Sequence, residues 1–323
     1  MLQGLAVRRA ALVGLLAGSA LSGGAGATSA SATPNAASTE SVSPSATSGL
    51  QLFGATWNQP IRSRPILSAN SRAAARLLAK KTAYANLYDF GTPIYFADRW
   101  TPAVSVTCTE HWGRCPLEVS PVPVPLAARP NSGSDHAMTV VDRGRGVVYE
   151  FWRAQRAPGG WRTAWGAISR INGDGRGGSS GSGISRLAGV ITVDEVSRRV
   201  IPHALAVSSS NVCARRFLPP ATKTDGGSSA AGCLPAGVRL QLDPALDLHR
   251  VAGLTGGELA VALAMQRYGV YVVDSGAAEL AIGFQRPTAG DNPYPAAGFA
   301  WDYYALDHIP LGRLRLLRSW DGS

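Results

Sequence analysis

Lysine is almost missing from this chain. It occurs only at Lys80, Lys81 and Lys223, although Lys and Arg together number 31 and the net charge is +10. The positive charge is therefore carried by arginine. Arginine in place of lysine, with abundant Ala and Gly, is the mark of GC-rich coding, and it also suits a surface that meets an acidic polymer. No Arg/Lys cluster is interleaved with aromatics, the pattern that tracks phosphates, which speaks against a nucleic-acid partner. Several motifs are absent as well. There is no G-x-S-x-G elbow, no H-E-x-x-H zinc helix, no phosphate loop and no dinucleotide fingerprint. Gly173-Asp174-Gly175 hints at calcium but lacks the other ligand positions. No metal or other cofactor is called for.

Cysteine is scarce, with four residues and no C-x-x-C spacing. Cys108 and Cys115 flank a loop holding His111, Trp112 and Gly113, and Cys213 and Cys233 flank a loop rich in Pro, Gly and Ser. An even count in an exported chain suggests disulfides. Cys108–Cys115 with Cys213–Cys233 is the most local of the three pairings. A metal site is the alternative, and the missing C-x-x-C weighs against it.

Long apolar runs are also missing. The one near the start, Ala10 to Leu21, follows Arg8-Arg9 and precedes small-residue sites at Ala25-Gly26-Ala27 and Ala30-Ser31-Ala32. It is too short to span a bilayer. A basic start, an apolar stretch and an A-x-A site are the pattern of an export signal, over 1–27. Arg8-Arg9 leaves both the general secretion route and the twin-arginine route open. Residues 28–49 are Ser, Thr, Ala and Pro with one charge, Glu40, and read as a linker. A single domain is expected over 50–323, long enough for a large core. A secreted, extracellular monomer without a stable membrane span is the expectation.

Within that domain the texture is mainly β. Val104–Thr109, Met138–Asp142, Val147–Arg153, Trp161–Ile168, His203–Ser208, Val238–Asp243, Val270–Asp274 and Ala281–Gln285 read as strands. Asp142 to Gly146 reads as a hairpin turn. Asn172 to Ser182, rich in Gly and Ser, reads as a mobile loop. Ser71 to Ala85 reads as a short helix with a basic face at Arg72, Arg76 and Lys80. Thr192-Val193-Asp194-Glu195 and Thr255-Gly256-Gly257-Glu258 match the capping box and start two further helices, the second ending near Gly269. Many short strands and few short helices predict a single β-sandwich, jelly-roll-like in form.

The densest patch of chemistry is the hairpin. Asp135 and His136 precede one strand, and Glu150 and Trp152 lie on the other. Alternation puts Glu150 and Trp152 on one face and packs Tyr149 and Phe151 inward on the opposite face. A carboxylate beside an indole suits sugar recognition. Further candidates stand at strand ends and loops: His203 after Pro202, Asp225 in a polar loop, Arg239 facing away from Leu240 and Leu242, and Asp274 before a sharp Ser275-Gly276 turn. Tyr271 precedes Asp274 on its strand.

Several of these stretches resemble a group of exported actinobacterial proteins. They include Asp135-His136-x-Met138-x-Val140-Val141-Asp142, Tyr149-Glu150-Phe151-Trp152, Ser185 to Ile191, Ile201-Pro202-His203-Ala204-Leu205, Pro220 to Gly226, Arg239 to Pro244, and Tyr268 to Gly276. The resemblance covers roughly Tyr95 to Gln285. It implies export and a single domain and carries no mechanism.

Two functions follow from the residues. The first is a carbohydrate-active enzyme on an acidic or cell-wall polysaccharide. As a lyase it would use His136 or His203 as base, Tyr271 as acid and Arg239 against a uronate. As a hydrolase it would pair Glu150 with Asp274 or Asp225, whose separation would decide retention or inversion. Asp135, Trp152, Arg239, Tyr271 and Asp225 would bind substrate. The second function is a non-catalytic glycan-binding or surface protein with Trp152, Trp161 and Trp165 as its platform. The expected partner in either case is an extracellular glycan.

Overall fold

A computed structural model describes residues 53–323 apart from 289 and 291. The export signal and linker expected over 1–49 lie outside the described residues. The described chain is mainly β, 31% strand and 16% helix, with short helices and several packed sheets.

Three sheets make the frame. The first has seven strands in the order Tyr304–Ala305, Ala83–Asn86, Leu280–Gly283, Leu205–Ser209, Val270–Ser275, Arg239–Leu242 and Leu314–Leu316. The second has five: Gln285–Arg286, Thr92–Ala97, Met138–Asp142, Val147–Trp152 and Trp165–Arg170. The third has four: Val122–Pro123, Ala103–Cys108, Gly160–Thr163 and Gln155–Ala157. Pairing is mixed. Leu205–Ser209 runs parallel to Val270–Ser275, and Thr92–Ala97 runs parallel to Met138–Asp142. The packed sheets are consistent with the expected β-sandwich, and the parallel pairs distinguish it from a purely antiparallel jelly roll.

The second sheet is covered on both faces. Ile94, Val141 and Val148 join one core with Leu205, Val207 and Ile282 of the first sheet. Met138, Val140, Tyr149 and Phe151 join a second core with Val106, Leu117 and Trp161. This explains why Val147–Trp152 is nearly all apolar: a strand buried on both faces reads as a hydrophobic run rather than an alternation. Its hairpin partner aligns Met138 with Phe151 and Asp142 with Val147. The turn closes where Asp142 Oδ1 accepts from the Arg145 amide at 2.9 Å, and Gly146 takes φ +67°.

Both capping boxes form, at Thr192 with Glu195 and at Thr255 with Glu258, and they start helices Val193–Arg198 and Gly256–Arg267. The second packs against Arg239–Leu242. The helix expected over Ser71 to Ala85 is shorter, Ser71–Leu78. Ala83–Asn86 leaves the helical pattern because it pairs with Leu280–Gly283, a case of sheet pairing overriding local propensity. The predicted strand Trp161–Ile168 breaks at Ala164, and its halves belong to different sheets.

Cys108 is bonded to Cys115 and Cys213 to Cys233, as expected from their spacing. The second bridge joins strand Val212–Phe217 to the segment before Leu234–Ala236 and closes the loop that carries Asp225. Replacing both Cys213 and Cys233 with Ser should lower stability by about 3 kcal/mol, the loop-entropy value for a ring of this size. An unchanged denaturant midpoint would show that the loop is held without the bridge.

Candidate functional site

The site is assembled by a segment that the sequence suggests is mobile. Residues 172–185 are fastened instead. Glu150 is fully buried, and its carboxylate accepts from the Ser179 amide at 2.8 Å, Ser179 Oγ at 3.0 Å, Ser169 Oγ at 3.1 Å, the Arg186 amide at 3.1 Å, and Ser185 Oγ. Ser180 and Ser182 are buried, and Ser182 Oγ donates to the Val273 carbonyl at 2.5 Å. The small residues of this segment are there for space. A Cβ on Gly181 would fall 2.0 Å from Asp225 Oδ2.

This pinned loop meets the end of strand Val270–Ser275. Between Val207 and Ser208 the register slips, so Val272 stands opposite Val207 while Asp274 stands opposite Ser208. The extra residue, Val273, is a bulge, and bulges bend a strand end and re-aim its side chains. Asp274 Oδ1 accepts from the Gly181 amide at 3.0 Å. Its other oxygen lies 3.8 Å from Arg186 Nη2, while Arg186 Nη1 donates to Asp135 Oδ2 at 3.2 Å. One guanidinium therefore joins two carboxyl groups. Asp225 hydrogen-bonds to Asp274 and accepts from the Ser275 amide at 3.2 Å and Ser275 Oγ at 2.5 Å. Burial, with the Asp225 charge added, outweighs Arg186 and the Gly181 amide and pushes Asp274 up to about 7.

These groups face a cleft of about 550 Å³ lined by Asp135, Arg186, Asp274, Ser180, Phe90 and Tyr303, among others. Beside it, Trp152 Nε1 donates to Asp135 Oδ1 at 3.1 Å. Trp112 stacks on Trp152 with ring centroids 5.8 Å apart and planes 27° apart, and it also meets Trp165 at 5.8 Å. Arg153 lies 4.5 Å over the Trp152 ring. The Cys108–Cys115 loop carries Trp112, and the Thr109 and Glu110 amides bind the carbonyls of Thr163 and Ala164. Trp112 is 62% exposed.

The structure thus brings Asp135, Asp225 and Asp274 together, with Trp152 adjoining, and places the other candidates elsewhere. Glu150 is a buried anchor rather than a cleft residue, because both faces of its strand are covered. Arg239 is buried and spends its guanidinium on the carbonyls of Tyr268, Trp320 and Gln59. Tyr271 is buried beside it and donates to the Thr56 carbonyl at 3.0 Å. The alternation does turn Arg239 away from Leu240 and Leu242, but that face is covered too. The lyase arrangement therefore loses its acid and its cation. His203 sits away from the cleft, with Nε2 3.0 Å from Glu195 Oε1, beside a cavity of about 20 Å³ that has room for about one water. His136 does not line the cleft, and its Nδ1 lies 3.3 Å from the Asn131 carbonyl. Trp161 is buried under Arg156, so the platform is Trp112, Trp152 and Trp165.

Arg186 and Trp112 are the residues the sequence did not single out for a role. Arg186 follows a Gly/Ser run, and Trp112 lies between two cysteines that form a bridge. Each is a single residue in a loop, where periodicity says nothing. Among the described residues no group of three or more His, Cys, Asp or Glu is placed to hold a metal.

Two outcomes follow from this geometry. Glu150→Gln should destabilise the protein by about 3 kcal/mol, because an amide group would face donors where the carboxylate accepts. A thermal melt within two degrees of the wild type, roughly 0.5 kcal/mol, would contradict that. The His203–Glu195 pair gives a pH signature. Burial alone would push both groups toward their neutral forms, but their attraction and hydrogen bonds hold Glu195 below its ordinary 4.5 and His203 above its ordinary 6.5. The histidine contribution is complete below 6.5 and fades as pH rises through its raised value. The glutamate contribution is complete above 4.5 and fades as pH falls through its lowered value. The melting difference between wild type and His203→Gln should therefore be largest between 4.5 and 6.5 and shrink on either side. A difference that grows above neutrality would contradict the pairing.

No family model, curated protein or solved structure matches this chain, which leaves the chemistry of the cleft as the guide to its function.

Proposed function

We propose that the protein is exported and hydrolyses a cell-wall polysaccharide, with Asp274 as general acid and Asp135 as the carboxylate that attacks the sugar or activates water. The observation that carries this reading is the pair of carboxyl groups flanking Arg186 in a cleft whose Asp135 is hydrogen-bonded to Trp152 of the tryptophan platform. Spanned by one guanidinium, the two carboxyl groups stand at most about 9 Å apart, within the range that glycoside hydrolysis uses. Asp274, pushed up to about 7, keeps a proton to give to a leaving oxygen near neutral pH. Asp225 acts through Asp274 as a positioning residue, since its charge and hydrogen bond help to hold that proton. The Trp112 ring offers a flat apolar face of the kind that stacks on sugar C–H groups.

The charge of the cleft selects among glycans. Arg186 is the one cation lining the cleft and is already held by Asp135 and Asp274, so no cation is left to meet a uronate, which supports a neutral or amino-sugar chain over a polyuronate. Two disulfides suit an oxidising compartment, and no helix of the described residues is long and apolar enough to cross a membrane.

Incubating the purified protein with a polysaccharide panel tests the reading. New reducing ends should come from a neutral or amino-sugar polymer, without the ultraviolet absorbance of unsaturated uronates. Asp274→Asn should lower kcat by about 10²-fold or more while leaving the melt nearly unchanged, since Asn mimics the protonated carboxyl. Activity should fall as pH rises through about 7, and Asp225→Asn should move that fall to lower pH. Trp112→Ala should weaken substrate binding by about 0.5–1.5 kcal/mol. Unsaturated products would point to a lyase, and binding with no cleavage of any polymer would leave a glycan-binding protein.

A further inference from the structure

A second groove, its charged lining mainly arginine, lies on helix Ser71–Leu78. It runs between that helix and the segment from Gly312 to Arg315, has a volume of about 570 Å³, and is lined by Arg72, Arg76, Arg313 and Arg315. Asp243 is the one acid among its lining residues, and Arg313 already pairs with it. The groove therefore keeps an excess of three positive charges. Arg72 and Arg76 are exposed and one helical turn apart, so they share a face. Neither makes a side-chain hydrogen bond or ion pair among the described residues. Small residues open the space between them: Ala69, Ala73, Ala75 and Gly312 line the walls. Gly312 lets the two walls approach, since a Cβ there would fall 2.8 Å from the Ala79 Cβ.

We propose that this groove binds an anionic polysaccharide carrying carboxylate or phosphodiester groups along its chain. Guanidinium groups match both anions bidentately, and two of the four have no other partner. The lining holds no aromatic ring, so it offers nothing for bases to stack on, which disfavours a single-stranded nucleic acid. The site is separate from the acidic cleft and shares no lining residue with it. The two sites would take chains of different charge. The groove would hold the protein to an anionic matrix while the cleft worked on a neutral glycan, and groove binding stands whether or not the cleft is catalytic.

The experiment is affinity electrophoresis of the full protein through gels holding polygalacturonate, a phosphodiester-linked polysaccharide, dextran or single-stranded DNA. Polygalacturonate or the phosphodiester-linked polysaccharide, or both, should retard the protein, dextran should not, and added salt should abolish the retardation. The first two arms separate carboxylate from phosphodiester as the recognised group. The double variant Arg72→Gln/Arg76→Gln should lose at least tenfold in affinity for the retarding polymer with an unchanged melting temperature. Equal retardation of variant and wild type would overturn the site, as would failure of both anionic polysaccharides to retard the protein. Tighter retention by DNA than by either polysaccharide would overturn the class of ligand.

Discussion

The site rests on a buried carboxylate. Glu150 stands in the middle of a strand covered on both faces, where an acid with too few donors would cost several kcal/mol. Five donors meet it, from Ser169, Ser179, Ser185 and the Arg186 backbone. Those donors all come from residues 169–186, so satisfying one buried acid fixes the course of that segment. The segment in turn delivers the Gly181 amide to Asp274 and the Arg186 guanidinium to a point between Asp135 and Asp274. A polar requirement inside one sheet thus sets the geometry of a cleft at its edge.

Around that anchor the fold contributes two local departures from regularity. The bulge at Val273 turns the end of a strand so that Asp274 meets the loop, and the Cys213–Cys233 bridge closes the loop that brings Asp225 against Asp274. Two acids in contact cannot both carry charge at low cost, and burial adds to the penalty. The proton that stays is the one the proposed hydrolysis would draw on. Arg186 opposes this, yet it is shared with Asp135 and lies farther from Asp274 than a hydrogen bond reaches.

Short-range patterns in the sequence carried most of the local structure. The Asp142–Gly146 hairpin, the capping boxes at Thr192 and Thr255 and the two disulfides all depend on residues close in the chain, and all form. Asp135, Asp225 and Asp274 were legible as candidates because acids at strand ends and loops stand where clefts are built. What failed was inference from alternation. It sends Glu150 to the surface and Arg239 to a ligand, on the premise that a polar face is an open one. Here the core shared with the first sheet, together with the Ser179–Arg186 segment, covers the Glu150 face, and helix Gly256–Arg267 with the chain's last residues covers the Arg239 face. Whether a strand has one covered face or two is decided by residues far away in sequence. The Gly/Ser run misled for the same reason: its small residues serve close packing rather than motion.

The account's central claim is that Asp274 holds a proton near neutral pH because it is buried against Asp225. The direct measurement is the titration of its side-chain carboxyl by carbon-13 NMR, with Asp274→Asn used to assign the signal. The account predicts a midpoint near 7 that falls when Asp225 is replaced by Asn. A midpoint at the ordinary aspartate value of 3.8, or one that Asp225→Asn leaves in place, would contradict it.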